Sequence, residues 1–140
     1  MKKLKALYTT LVIVGILFAG ILTLTAFTSN NPNEDIIGTW LSENDTNWKI
    51  EFKSNGKCYW YYTGDSTETY TYSISDFSNS LGSTTDFCGK TVSSGRTESY
   101  YLTLTDSDSD KLCYEIFGLT NDHLSLNYLG TSEIKIFNKL

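Results

Sequence analysis

Aspartate alternates with serine in the segment 106–110, the pattern in this chain that most clearly suggests a cation site. Carboxylate oxygens are the ligands that calcium prefers in proteins. The segment does not fit the twelve-residue EF-hand loop, because Lys111 stands where that loop requires glycine and Phe117 where it requires glutamate. We therefore interpret 106–110 as a solvated turn, and the sequence predicts no metal site.

His123 is the only histidine of the chain, so a metal cluster built from several histidines is excluded. A Ser-His-Asp triad needs one histidine, but no Gly-x-Ser-x-Gly nucleophile elbow accompanies it here. His123 follows a turn at Asn121-Asp122, and we expect it to be an exposed turn residue. The sequence therefore predicts a protein that is not an enzyme and that needs no cofactor.

The charge of the chain divides unevenly between its ends. Of 11 basic and 16 acidic residues, three lysines and no acid lie in residues 1–28, so residues 29–140 carry eight basic and 16 acidic residues, a net charge of about −8. An acidic surface repels phosphate backbones, which disfavours nucleic acid as a partner.

Residues 1–28 have the composition of an export segment. Lys2, Lys3 and Lys5 precede a stretch, 6–27, of 22 residues without charge, and a helix of that length spans roughly 30 Å, the thickness of a bilayer core. The segment is either a cleaved signal peptide or a retained membrane anchor. Both alternatives place the remaining chain outside the cytoplasm, in the periplasm or at the cell surface, with membrane contact only if the helix is uncleaved.

The rest of the chain alternates short strands with turns. Residues 29–35 are polar and indicate a structureless linker to a domain at 36–140. In the second strand Trp48, Ile50 and Phe52 alternate with charged residues, as expected of a half-buried strand. A turn at Asn55-Gly56 favours a type I′ hairpin, and residues 77–97 form a long polar loop. Eight strands are predicted, at 36–41, 48–52, 58–63, 67–76, 99–105, 111–118, 124–128 and from 134 onward.

An open sheet of eight strands would leave two exposed edges and a wet apolar face, and closure removes both. Eight strands close around an interior wide enough for side chains or for one small ligand. The sequence therefore predicts an all-β domain, an eight-stranded antiparallel up-and-down barrel preceded by one N-terminal hydrophobic helix. A two-sheet sandwich is the alternative.

Three short motifs carry a resemblance to a known family. They are Gly38-Thr39-Trp40 in the first strand, the apolar strand and Asn-Gly turn at 50–56, and Leu-Thr-Asn-Asp-His-Leu-Ser-Leu at 119–126. In this order and spacing they resemble the small bacterial lipocalin-like domains, over about residues 36–138. The Thr-Asp motif of lipocalins corresponds to Thr120 and Asp122, with one residue inserted.

The chain departs from the family at one position. Lipocalins have a late arginine that packs over the tryptophan, whereas the only arginine here is Arg96, and the nearest late basic residues are Lys135 and Lys139. The resemblance implies that the barrel binds a small hydrophobic or amphipathic ligand in its interior or at its mouth.

Up-and-down topology places the first, third, fifth and seventh joins at one end of the barrel, which in lipocalins surrounds the cavity mouth. These joins contain no lysine or arginine. We expect an acidic rim that disfavours fatty-acid anions and favours neutral or cationic ligands, or a hard cation. Its carboxylates are Glu43, Asp45, Asp65, Asp106, Asp108, Asp110 and Glu133.

The inward alternation of the strands collects large aromatic and aliphatic side chains. Tyrosines inside a barrel need partners for their hydroxyls. Two interpretations remain open, a partly polar cavity or a filled barrel whose hydroxyls bond to the backbone or lie at the rim. The candidates for lining a ligand cavity are Trp60, Tyr62, Tyr70, Tyr72, Leu102, Leu104, Tyr114 and Tyr128.

Three cysteines in an oxidising compartment leave at least one unpaired. Cys58 begins the third strand at the end of the barrel where the long loop with Cys88 is also expected, whereas Cys113 begins the sixth strand at the other end and points outward. This favours a Cys58–Cys88 disulfide with Cys113 free. A Cys88–Cys113 bond and three unpaired thiols are the alternatives.

These observations predict an exported lipocalin-like domain that binds a small hydrophobic or amphipathic ligand. The alternative is a non-enzymatic extracytoplasmic interaction module with a filled barrel core, which meets an unknown protein partner through strand edges or the loop 77–97.

Overall fold

The structure is a computed structural model that describes residues 31–77, 84–93 and 100–140. The predicted export segment, residues 1–28, lies outside these ranges. Within them, no helix has the length and apolar character needed to cross a membrane. The described elements are α1 (Pro32–Asp35), β1 (Gly38–Ser42), β2 (Trp48–Phe52), β3 (Lys57–Tyr62), β4 (Glu68–Asp76), β5 (Thr84–Phe87), β6 (Lys90–Ser93), β7 (Tyr100–Thr105), β8 (Lys111–Leu119), β9 (His123–Tyr128) and β10 (Ile134–Lys139).

Eight of these strands form a closed antiparallel barrel in the order β1-β10-β9-β8-β7-β4-β3-β2. The first and last strands close it, with Trp40 opposite Lys139 and Ser42 opposite Phe137. Closure leaves none of the eight strands as a free edge, which explains why an antiparallel sheet of this size is stable in water. The predicted all-β barrel is confirmed, and the sandwich alternative is wrong because β1 pairs directly with β10.

The turn between β2 and β3 lies where the sequence predicts it but has a different geometry. The amide of Gly56 donates to Lys53 O at 3.1 Å, and the amide of Lys53 donates to Lys57 O at 2.8 Å. Gly56 has φ +78, whereas Asn55 is not among the residues with positive φ. This pattern is a three-residue hairpin loop that ends in a glycine bulge, so the prediction of a two-residue type I′ turn is wrong.

The middle of the barrel is filled with apolar side chains, and so is the end opposite the predicted mouth, which we call the closed end. Trp40, Ile50, Phe52, Leu102 and Leu104 have no solvent-accessible surface, so no water-sized space lies against them. Further fully buried side chains come from β3, β8, β9, β10 and the chain before β1, and they are Ile36, Cys58, Leu119, Leu124, Leu126 and Phe137. This dense packing supplies the hydrophobic stabilisation of the fold.

The described part of the predicted linker, residues 31–35, is not structureless. Pro32 begins the single helical turn α1 and is buried, and Ile36 directly after the turn is fully buried in the barrel core. Proline suits the first turn of a helix because its missing amide has no intrahelical acceptor there. The turn leads the chain into the closed end of the barrel, so β1 begins at Gly38 rather than at residue 36.

The predicted polar loop at 77–97 contains a hairpin. Strands β5 and β6 pair through a two-residue turn in which Cys88 and Gly89 both have positive φ, +53 and +69, as a type I′ turn requires. Phe87 and Val92 of the hairpin pack on Tyr101 and form a second apolar cluster that also contains Cys113. The hairpin therefore covers the outer wall of the barrel over β7 and β8.

The predicted Cys58–Cys88 disulfide is wrong. Cys88 is bonded to Cys113, and Cys58 is a buried free thiol. Cys58 points into the barrel core, whereas the hairpin follows the outer wall towards the mouth, where its Lys90 lies beside Gly130 in the β9–β10 join. The disulfide partner of Cys88 is therefore determined by the wall of the barrel on which the hairpin packs. The barrel end at which the loop begins does not determine it.

Candidate functional site

An open recess of about 380 Å³ lies at the end of the barrel that the sequence predicts to be the mouth. It is built by the β1–β2 join, the β3–β4 join and the strand ends next to them. Its floor is aromatic and its walls are polar, which is the composition of many small-molecule sites. The lining residues are Asp45, Trp48, Trp60, Tyr62, Asp65, Ser66 and Glu68.

A layer of aromatic rings continues from the recess across the barrel. The ring centroids of Trp48 and Trp60 lie 5.1 Å apart, and Trp60 stacks on Tyr114 at 6.2 Å. Tyr114 in turn contacts Tyr128 at 5.3 Å, and Trp48 meets Phe137 edge-on at 5.5 Å. These separations are typical of favourable aromatic pairs. Trp48 and Trp60 of this layer form the floor of the recess, and below the layer the barrel is filled.

Two tyrosines at the recess donate hydrogen bonds to carboxylates. The Tyr70 hydroxyl donates to Glu68 Oε2 at 2.6 Å, and burial together with this bond raises the pKa of Tyr70. A hydrogen bond to the carboxylate of Asp45 raises the pKa of the Tyr62 phenol. Both phenols therefore stay neutral at physiological pH and keep the carboxylates oriented at the recess.

Lys135 brings a positive charge to the mouth that the sequence analysis did not anticipate. Its Nζ lies 4.4 Å from the ring centroid of Trp48 and 2.9 Å from Glu133 Oε1, and its side chain is 23% exposed. Lys135 lies on β10 two residues before the inward-pointing Phe137, so the period of the strand turns its side chain inward. The joins themselves contain no basic residue, but a neighbouring strand supplies one.

The structure brings together five of the eight predicted cavity residues. Trp60 and Tyr62 line the recess, and Tyr62 is 45% exposed. The remaining three of these five belong to the aromatic layer or adjoin it, and they are Tyr70, Tyr114 and Tyr128.

The other three lie away from the recess. Leu102 and Leu104 are fully buried core residues. Tyr72 lies towards the opposite end, where its hydroxyl donates to Lys53 O at 3.0 Å beside the β2–β3 turn. Sequence reasoning did not include Trp48 or Glu68 among the cavity residues, although both stand at strand ends beside mouth joins, which is the signal that could have identified them.

The rim carboxylates all lie in the four mouth joins, but they are not equivalent. Asp45 and Asp65 line the recess. Asp106 Oδ1 accepts the backbone amides of Asp108 and Asp110, both at 2.9 Å, and so closes its own turn. The last two predicted rim residues are Glu43, which is exposed, and Glu133, which pairs with Lys135. Within the described parts of the chain, no three metal-ligating side chains group together.

The residues of the Gly-x-Trp motif lie at the closed end. The indole N–H of Trp40 donates to Ile36 O at 2.7 Å. Lys139 Nζ lies 4.8 Å from the ring centroid of Trp40 and donates to Asp35 O at 3.0 Å. Gly38 has φ +138, and a Cβ there would lie 2.7 Å from Lys139 Cε. Lys139 of β10 therefore contacts both Trp40 of β1 and the backbone of α1.

Thr120 and Asp122, the residues compared with the lipocalin Thr-Asp motif, lie at the β8–β9 turn, which is also at the closed end. The Thr120 hydroxyl donates to Asp122 Oδ1 at 2.8 Å and accepts the amide of His123 at 3.0 Å. The His123 side chain is 57% exposed and lies 2.9 Å from Asp122 Oδ1. These contacts order a turn, and they lie at the end of the barrel opposite the recess.

No protein-family model matches the chain, and neither a curated protein nor a solved structure is similar enough to it to count as a match.

Proposed function

We propose that this chain is an exported lipocalin-like domain that binds a small hydrophobic or amphipathic ligand at the mouth of its barrel. The observation that carries the proposal is the recess of about 380 Å³ with its Trp48–Trp60 floor. Its volume lies within the range of about 300–1,000 Å³ that is typical of ligand pockets. Since the barrel below is filled, the ligand occupies the mouth and does not enter the barrel.

The closed end supports the family part of the proposal. Lys139 packs over Trp40, where the lipocalin resemblance calls for a late arginine. Lysine retains the cation–aromatic contact but lacks the planar donor fork of arginine. A lysine in this place makes the lipocalin-like assignment compatible with a chain whose only arginine is Arg96.

Two features support the export part of the proposal. The Cys88–Cys113 disulfide is compatible with an oxidising compartment, and disulfides are rare in the cytosol. The basic and then uncharged segment at 1–28 has the composition of a signal or anchor.

A titration with hexyl glucoside, a neutral and water-soluble amphiphile, tests the proposal. The full chain is kept in solution with a non-ionic amphipol, and tryptophan fluorescence reports binding, because Trp48 and Trp60 lie in the recess. We expect saturable binding that Trp60→Leu weakens about tenfold, since the floor loses an aromatic surface. The matched control is Tyr59→Leu, at the neighbouring outward position of β3.

Two results would contradict binding at the mouth: no saturable signal from any small amphiphile in the unmodified chain, or the same affinity in both variants. The filled core favours the second candidate function, a protein-interaction module, and absence of binding by any small amphiphile would leave that candidate in place.

A further inference from the structure

The recess has a one-sided charge. Three of its seven lining residues are carboxylates, Asp45, Asp65 and Glu68, and no lysine or arginine is among the lining residues. Tyr62 and Tyr70 donate hydrogen bonds to two of these carboxylates and thereby fix their positions. A ligand head group placed here meets negative charge on several sides, which favours a positive group.

The same aromatic layer already holds one ammonium group. Lys135 Nζ lies over Trp48 at 4.4 Å with Glu133 as its anionic partner at 2.9 Å. An aromatic face combined with a carboxylate is a known recognition arrangement for ammonium ions. The recess repeats this combination with the rings of Trp60 and Tyr62 and with its three carboxylates, but the lining contributes no cation.

We infer that the ligand of the mouth recess is an amphiphile with an ammonium head group. The head lies against the rings of Trp60 and Tyr62 and faces the carboxylates of Asp45, Asp65 and Glu68. The apolar tail contacts the aromatic floor that Trp48 and Trp60 form. This inference rests on the proposed function and deepens it, because it names the head group that the mouth selects.

A series with one six-carbon tail and three head groups tests the inference. Hexyltrimethylammonium, hexyl glucoside and hexanoate are titrated into the full chain in non-ionic amphipol, and calorimetry and tryptophan fluorescence report binding. We expect the cation to bind about tenfold more tightly than the glucoside at low salt, and hexanoate to bind most weakly. The preference for the cation decreases at 0.5 M salt, because salt screens solvent-exposed charges.

Variants with neutral amides in place of wall carboxylates test whether those carboxylates cause the preference for the cation. Asp65→Asn with Glu68→Gln reduces the preference for the cation over the glucoside to about threefold or less, because the two substitutions remove two of the three negative charges of the recess walls. These positions are exposed, so the double variant retains the fold. The matched control is Asp108→Asn, an exposed rim carboxylate outside the recess lining, and it retains the preference.

The outcomes separate the inference from the proposed function. Equal binding of the cation and the glucoside overturns the head-group inference and leaves ligand binding at the mouth intact. Tighter binding of hexanoate does the same. If none of the three amphiphiles binds, or if Trp60→Leu leaves all affinities unchanged, both the inference and the proposed function are wrong.

Discussion

Reduction of the Cys88–Cys113 disulfide is expected to cause a large loss of stability. The bond joins residues 25 apart in sequence and fastens the β5–β6 hairpin to the outer wall of the barrel. The chain-entropy relation for a closed loop of this length gives about 3.5 kcal/mol at 25 °C. For a folded domain of this size, that loss corresponds to a fall in Tm of roughly 15 °C.

Urea unfolding of the oxidised and reduced protein, followed by tryptophan fluorescence, measures this loss. The same pair of curves is recorded for Cys58→Ala, because the buried third thiol could exchange with the disulfide once the chain unfolds. We expect Cys58→Ala to lower stability in both states and to leave the difference between them unchanged.

Two results would refute the reasoning. Equal urea midpoints for oxidised and reduced protein would mean that the hairpin bond does not constrain the unfolded chain. Loss of the redox difference in Cys58→Ala would mean that Cys58, and not Cys113, carries the disulfide.

Two further predictions concern the core and the closed end. Burial raises the pKa of Cys58 to about 12 from an ordinary value of 9.0, so the folded thiol should resist iodoacetamide at pH 8. The free energy of unfolding should fall as pH rises above 9, because the Cys58 thiol of the unfolded chain loses its proton at a lower pH than that of the folded chain. Urea midpoints between pH 8 and 10.5 should fall less steeply in Cys58→Ala than in the unmodified chain; equal slopes would contradict the assignment. Gly38→Ala should destabilise the fold by about 2 kcal/mol, because φ is +138 and the new Cβ would lie 2.7 Å from Lys139 Cε. Adding Lys139→Ala should relieve the steric part of this loss in a double-mutant cycle, and full additivity would show that the two residues do not meet.

The barrel could be predicted from the sequence because its signals are local. Each strand alternates apolar and polar residues, as Trp48, Ile50 and Phe52 do in β2, and turn residues separate the strands at short intervals. Short joins force neighbouring strands to pair, and the exposed edges of an open sheet then favour closure. The mouth joins follow from the same topology, so the acidic character of the recess could also be predicted.

The disulfide could not be predicted because it depends on non-local packing. Nothing in the sequence of the loop at 77–97 states on which side of the barrel it lies. Its position follows from the outward-facing Tyr101 and Cys113, which need an apolar cover and receive it from Phe87 and Val92. The alternation of inward and outward residues predicts that Cys113 points outward. It does not predict which segment of the chain packs on Cys113, because that depends on the three-dimensional fold.

The two inward-facing lysines of β10 show that the mouth and the closed end of the barrel are held by separate contacts. Lys139 joins Trp40 and α1 at the closed end, and Lys135 lies against Trp48 and Glu133 at the mouth. The interior between them is apolar and tightly packed, so changes there would cost stability before they could create a binding site. The polar walls of the recess come from short joins and strand ends that face solvent. Under the proposed function, substitutions in those walls would therefore alter the preferred head group while the filled barrel and its closed end hold the fold unchanged.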